Sequence, residues 1–195
     1  MIVPLMFSNR RRRGGLQLLV YDSFTAANGT QINSRACDTG QTPVVWSGYS
    51  AANATIQSNV AQFNNSGVIY TATKPIKRVV VDYVDLTTGY NDIRFCFTNG
   101  DATDGFAVRY NANMQLLYYP VGLFAWDSGG NPSGFTTGTI QIDITAAGIA
   151  VKVTDNSLGV IQRTYTGAIG NTSSAKVSLG SNSGIPSFDN LKAYG

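Results

Sequence analysis

The chain of 195 residues contains no histidine and no glutamate, so all 11 acidic residues are aspartates. Those two absences remove imidazole-based triads, histidine-ligated metal centres, and the glutamate pairs that usually carry glycoside hydrolysis. Aspartate pairs are left as the one route to acid–base work, and the sequence reads as that of a non-enzyme. Cysteine is nearly as scarce. Cys37 and Cys96 stand 59 positions apart with no CxxC or zinc spacing, the pattern of two reduced, half-buried thiols.

Long apolar runs are missing too. Nothing approaches the ~20 residues of a membrane-spanning helix, so no membrane insertion is expected. The apolar start (Ile2, Val3, Leu5, Met6, Phe7) is short, holds Pro4, and is followed by arginines instead of being preceded by them. That is the reverse of a secretory signal. The expectation is a chain without a signal peptide, made and kept in a cytoplasm, where the Asn-x-Ser/Thr matches at Asn28, Asn53, Asn64 and Asn171 have no glycosylation meaning. No dozen-residue window carries a 3.6-residue apolar stripe, which excludes a helical domain.

The formal charge of +3 conceals a local cluster. Arg10, Arg11, Arg12 and Arg13 supply four of the 14 basic residues, which leaves ten against 11 acidic groups and a body at −1. A general nucleic-acid-binding protein spreads Lys and Arg over a folded face, so nucleic acid is not expected as a partner.

What is present is strand and turn chemistry. In residues 139–145, Ile140, Ile142 and Ile144 alternate with polar neighbours. Ile149, Val151 and Val153 do the same after Ala146-Ala147-Gly148, which reads as a three-residue hairpin loop with Gly148 at positive φ. Residues 156–159 form a second turn before a strand over 160–166, and residues 176–180 and 187–194 supply two more strands. Residues 79–86 are nearly continuous apolar and β-branched, the pattern of a central strand covered on both faces. Residues 106–110 and 114–119 form a hairpin about Asn111-Ala112-Asn113, and the Gly- and Ser-rich stretch 127–138 is a long loop. Strands at 8–12-residue spacing without helices predict an all-β sandwich or barrel. Asp143 and Asp155 are expected to be solvated, and Ile142 to be deep in the core.

Residues 1–15 resemble nothing in the body: an apolar tip, four arginines, then a Gly pair. They read as an arm attached to one domain, residues 16–195. Four adjacent like charges repel and do not nucleate a fold alone; the arm either packs on its own domain or, the reading adopted, docks into a partner subunit. Ile2, Val3, Leu5, Met6 and Phe7 would be buried there and Arg10–Arg13 would face acidic groups at the rim.

The opening Tyr21-Asp-Ser-Phe24, the segment Trp46-Ser-Gly-Tyr49, and the ending Val177-Ser-Leu-Gly180, Phe188-Asp-Asn-Leu191 and Tyr194 resemble the concanavalin A-like jelly-roll domains of bacteriophage virion proteins. The resemblance covers about residues 21–195. It implies a two-sheet antiparallel jelly-roll sandwich with adjacent first and last strands. The role it implies is that of a non-enzymatic virion accessory protein of the tail-fibre, tail-tip or head-decoration type. Such a protein would be assembled in the host cytoplasm, held to other virion subunits by the arm, homo-oligomeric, and able to contact host-surface glycans. A soluble carbohydrate-binding module is the alternative. The resemblance also places Asp22 and Asp189 where some relatives hold a structural calcium ion, which takes six to eight oxygens. From the residues themselves, Tyr118 and Tyr119 point to opposite faces of one strand, and Trp126 and Phe135 flank the 127–138 loop. An aromatic face beside polar groups suits a sugar there, so these four are candidate glycan-binding residues.

Overall fold

The computed structural model describes residues 15–86, 91–96, 105–119, 122–167 and 173–195. The proposed anchoring residues Ile2, Val3, Leu5, Met6, Phe7 and Arg10–Arg13 therefore lie outside the described residues. Strands are numbered in chain order. One sheet is built from β1 (Leu18–Asp22), β3 (Ala54–Gln57), β4 (Val60–Phe63), β6 (Arg78–Asp85), β11 (Gly138–Thr145), β12 (Gly148–Asp155), β13 (Gly159–Thr166) and β15 (Ser187–Tyr194). Their order is β13-β12-β11-β6-β15-β4-β3, with β1 also paired to β15. The second sheet contains β2 (Val44–Val45), β5 (Ser66–Thr71), β7 (Asn91–Cys96), β8 (Gly105–Asn111), β9 (Asn113–Tyr119), β10 (Gly122–Phe124) and β14 (Lys176–Ser181), in the order β10-β9-β8-β7-β14-β5-β2. Every ladder among the described strands is antiparallel. This is the concanavalin A-like jelly-roll sandwich.

The core is the layer between the sheets. From the larger sheet Ile140, Ile142, Ile144, Ile149, Val151 and Val153 point inward with Val79, Val81 and Tyr83, and all are buried. Val68, Tyr70, Phe106, Val108, Val177 and Leu179 meet them from the smaller sheet. The period-2 alternation of β11 and β12 becomes one buried and one polar face. β6 differs from the sequence expectation. Val79, Val81 and Tyr83, and Leu86 just after the strand, are covered, whereas Val80 is half-buried and Val84 exposed. The β-branched run reflects strand preference, and its outer face is not covered.

Two turns depart from expectation. Thr145 pairs directly with Gly148, so the β11–β12 loop is the two residues Ala146 and Ala147, and Gly148 belongs to the strand. Glycine is still required there, since a Cβ would sit 1.9 Å from the Tyr165 carbonyl oxygen. Asp155 is buried instead of solvated. Its Oδ1 accepts from the Ser157 and Leu158 amides at 2.7 and 3.0 Å, and its Oδ2 from the Thr136 amide and Tyr83 hydroxyl at 2.8 and 2.6 Å. The carboxylate holds the β12–β13 turn and the end of the 127–138 loop to the core.

The residues of the resemblance meet in space for identifiable reasons. Trp46 lies flat over Gly67 and Gly180, where a Cβ would approach its ring to 2.2 and 2.4 Å. Tyr49 packs edge-on against it at 5.7 Å and its hydroxyl donates to Asn182 Oδ1. β1 pairs with β15, and Gln17 and Gly195 exchange backbone hydrogen bonds of 2.8 and 3.0 Å, which closes the terminal strands on each other.

Candidate functional site

Alternation that sends Ile140, Ile142, Val151 and Val153 inward sends Gln141, Asp143, Ala150 and Lys152 to the outer face of the larger sheet. Pairing then aligns these side chains into two rows. One runs Lys192–Val80–Gln141–Lys152–Gln162 and the other Tyr194–Arg78–Asp143–Ala150–Thr164, each crossing β15, β6, β11, β12 and β13. Five strands at the usual inter-strand spacing give a face about 19 Å across.

The face is hydrogen-bonded within itself. Arg78 Nε donates to Asp143 Oδ1 at 2.5 Å and Gln141 Nε2 to Asp143 Oδ2 at 2.7 Å. Two hollows adjoin there and share Gln141. One, of about 430 Å³, is lined by Leu16, Arg78, Val80, Gln141 and Tyr194. The other, of about 230 Å³, lies over Asp143, Ala150, Lys152, Gln162 and Thr164. Hydroxyl, amide, carboxylate and guanidinium groups here offer both donors and acceptors, and Tyr194 supplies an aromatic wall. A polyhydroxylated ligand meets this inventory well, because each sugar hydroxyl both donates and accepts.

The aromatic residues singled out in the sequence go elsewhere. Trp126 is buried, its indole N–H donating to the Met114 carbonyl at 3.3 Å. Phe135 is a core residue, edge-on to Tyr110 at 5.3 Å and to Tyr83 at 6.5 Å. Neither presents a ring face to solvent as the sugar-stacking expectation required, because both rings complete the core at the end of the sandwich. Phe135 and Tyr110 do form the floor of a cleft of about 210 Å³ with Leu86, Ala112, Asn113 and Gly134, but its walls are mainly apolar. Tyr118 and Tyr119 lie in β9, Tyr118 in register with Phe106 and Gly122, and their side chains lie outside the described residues.

Asp22 and Asp189, the pair that the resemblance places at a calcium site, are each engaged by protein donors. Asp22 is fully buried and its Oδ1 accepts from the Phe24 amide at 2.9 Å and from Arg35, while Oδ2 accepts from the Tyr70 hydroxyl at 2.7 Å. A guanidinium already stands where a cation would go, so Asp22 does not fit calcium. Asp189 accepts from the Asn190 amide and side chain, and Asn190 Nδ2 also donates to Asp82 at 3.1 Å. Burial, opposed by the Asn190 hydrogen bond and assisted by the Asp82 and Asp22 charges, pushes the Asp189 carboxyl up from its ordinary value. Among the described residues no cluster of three Cys or Asp side chains could hold a metal.

The sequence missed the two rows because alternation identifies an outward residue without identifying which strands lie side by side. The polar parity of Gln141, Asp143 and Lys152 was the available signal.

No protein-family model and no curated protein sequence matches the chain. Solved structures do match, at low identity. The β-glucanase of Bacillus licheniformis is similar at 15% identity and a TM-score of 0.52, over 94% of this chain and 99% of that one. A VIP36 exoplasmic/lumenal domain in its Ca²⁺/Man2-bound form is similar at 6% identity and 0.53, over 86% of each chain. A GH54 α-L-arabinofuranosidase is similar at 15% identity and 0.50, over 70% of this chain, which spans only 37% of that enzyme. At these identities the shared property is the jelly-roll fold.

Proposed function

We propose that this chain is a non-catalytic saccharide-binding jelly roll, and that its binding surface is the outer face of the larger sheet. The observation that carries the reading is the Arg78–Asp143–Gln141 network between two adjoining hollows. Such a network pre-orients a dense set of donors and acceptors on a rigid sheet, which lowers the ordering cost of binding a flexible polyol. Similar structures that act on or bind carbohydrate, the glucanase and the Man2-bound VIP36 domain, support it.

The non-catalytic part rests on the carboxylates. Asp143 is tied up by Arg78 and Gln141, and hydrogen bonds from Tyr83, Thr136, Ser157 and Leu158 hold the Asp155 carboxyl below its ordinary value, which unsuits it as a general acid. Asp82 and Asp189 are adjacent across β6 and β15, but neither lines the two hollows. A glycan array is expected to show binding that falls at least tenfold in Arg78→Ala and Gln141→Ala, with no release of reducing ends. Turnover abolished by Asp189→Asn would instead make the protein an enzyme.

The setting we propose is a bacteriophage virion, with the domain displayed through the arm of residues 1–15 and repeated in a homo-oligomer. The apolar tip followed by Arg10–Arg13 supports that reading, since nothing in a soluble binding module calls for it. Recovery of the chain in purified phage particles is the expected result. Its presence only as free soluble protein, encoded among polysaccharide-degradation genes, would favour the soluble module.

A further inference from the structure

Charge on the proposed saccharide face is unevenly satisfied. Asp143 and Arg78 neutralise each other. Arg163, on the edge strand β13, also lines the hollow of about 230 Å³, but its guanidinium is committed to the Gly129, Gly130 and Gln162 carbonyls, to which it donates at 2.6, 2.9 and 2.7 Å. Lys192 stands over the Tyr21 ring at 5.5 Å. Lys152 is different: it is exposed, it lines the hollow of about 230 Å³, and among the described residues it forms no ion pair. Gln141 flanks it on β11 and Gln162 on β13, each in direct register.

We infer that the Lys152 end of this face receives the carboxylate of an acidic saccharide, such as a uronic or sialic acid residue. An ammonium between two amide side chains offers a point charge and neutral N–H donors, which suits a carboxylate with hydroxyls on either side. A bidentate phosphate or sulfate site would call for a free planar guanidinium, and the one within the rows, Arg78, is held by Asp143. Thr164 and the Arg78–Asp143 pair then face the neutral hydroxyls of the same or the next ring. This inference rests on the saccharide-binding reading and adds a ligand class to it.

The test measures binding of the intact chain to immobilised oligogalacturonate, oligo-alginate and sialyllactose. Cello-oligosaccharide and lactose serve as neutral counterparts and a sulfated oligosaccharide as the competing anion, all across a sodium chloride series. Lys152→Gln is compared with Lys176→Gln, which removes the same charge from a half-buried lysine on β14 of the smaller sheet, outside the lining of both hollows. The expected result is preference for carboxylated ligands, an affinity that falls with salt, and a roughly threefold to tenfold loss in Lys152→Gln alone. Equal binding of neutral ligands, unchanged in Lys152→Gln, overturns the acidic specificity and leaves the saccharide reading standing. A preference for the sulfated ligand also overturns it. No binding to any of these glycans or to a full array overturns the saccharide reading itself.

Discussion

Asp22 receives three donors in a dry site, and one of them is the charged Arg35 side chain from the loop that follows β1. Removing one partner of a buried pair strands the other charge, at a cost of about 3 kcal/mol. Arg35→Ala is therefore expected to lower the thermal midpoint markedly, whereas chelator and added calcium leave the parent's midpoint unchanged. A calcium-dependent rise in the parent would show that the ion displaces Arg35. Asp155 gives the pH counterpart. Burial opposes its ionisation, but hydrogen bonds from Tyr83, Thr136, Ser157 and Leu158 outweigh burial and take its pKa from 3.8 down to about 2. The sign follows from a folded-state value below the unfolded one. The stabilisation is present in full above about pH 4 and disappears as pH falls towards 2. Asp155→Asn should cost about 2 kcal/mol at neutral pH, and the midpoint of this variant should vary less than the parent's between pH 4 and 2.

Among the elements, the edge strand β13 carries the clearest design against aggregation. Its outward backbone groups would otherwise template another chain. Asp127 meets them instead: its amide donates to the Thr164 carbonyl at 2.8 Å, and its carboxylate accepts from the Thr166 amide and hydroxyl at 3.0 and 2.7 Å. Asp127→Ala removes the carboxylate contacts and should raise the concentration-dependent association seen by light scattering, with a small effect on stability. β11 and β12 show how much was readable. Their inward isoleucines and valines are all buried as alternation requires, and Ile142→Asp is expected to be among the most damaging single changes because it places an unpaired charge in the core. A variant as heat-stable as the parent would contradict that assignment. Asp155 shares the inward parity of Val151 and Val153, so its burial was legible in the pattern although its polarity suggested solvent. The outer surface of β6 was not legible. Whether a β-branched face is covered depends on what packs there, and local sequence does not encode that. The rows of the proposed site were hidden for the same reason, since they arise only when β15, β6 and β11 become neighbours.

At the scale of the whole molecule, the closed terminal strands separate the stability of the domain from the proposed work of the arm. Gln17 and Gly195 are bonded to each other and β1 begins at Leu18, so the described terminal strands close on each other downstream of residues 1–15. Deleting those residues should leave the thermal midpoint and the saccharide affinity of the domain unchanged while abolishing its recovery in particles. In the proposed attachment, burial of Ile2, Val3, Leu5, Met6 and Phe7 supplies most of the affinity, at roughly 25 cal/mol per Å² of apolar surface. The arginines mainly steer encounter and register. Replacing Arg10–Arg13 with serine should therefore weaken incorporation in a salt-dependent way, because exposed charges beyond ~8 Å are largely screened at physiological ionic strength. The measurement is the amount of each variant that copurifies with particles when expressed beside the remaining virion proteins, at low and high salt. Full incorporation of the deletion variant would move the attachment to the sandwich itself. Loss of saccharide binding in that variant would instead tie the arm to the adjoining hollow lined by Leu16, Arg78 and Tyr194.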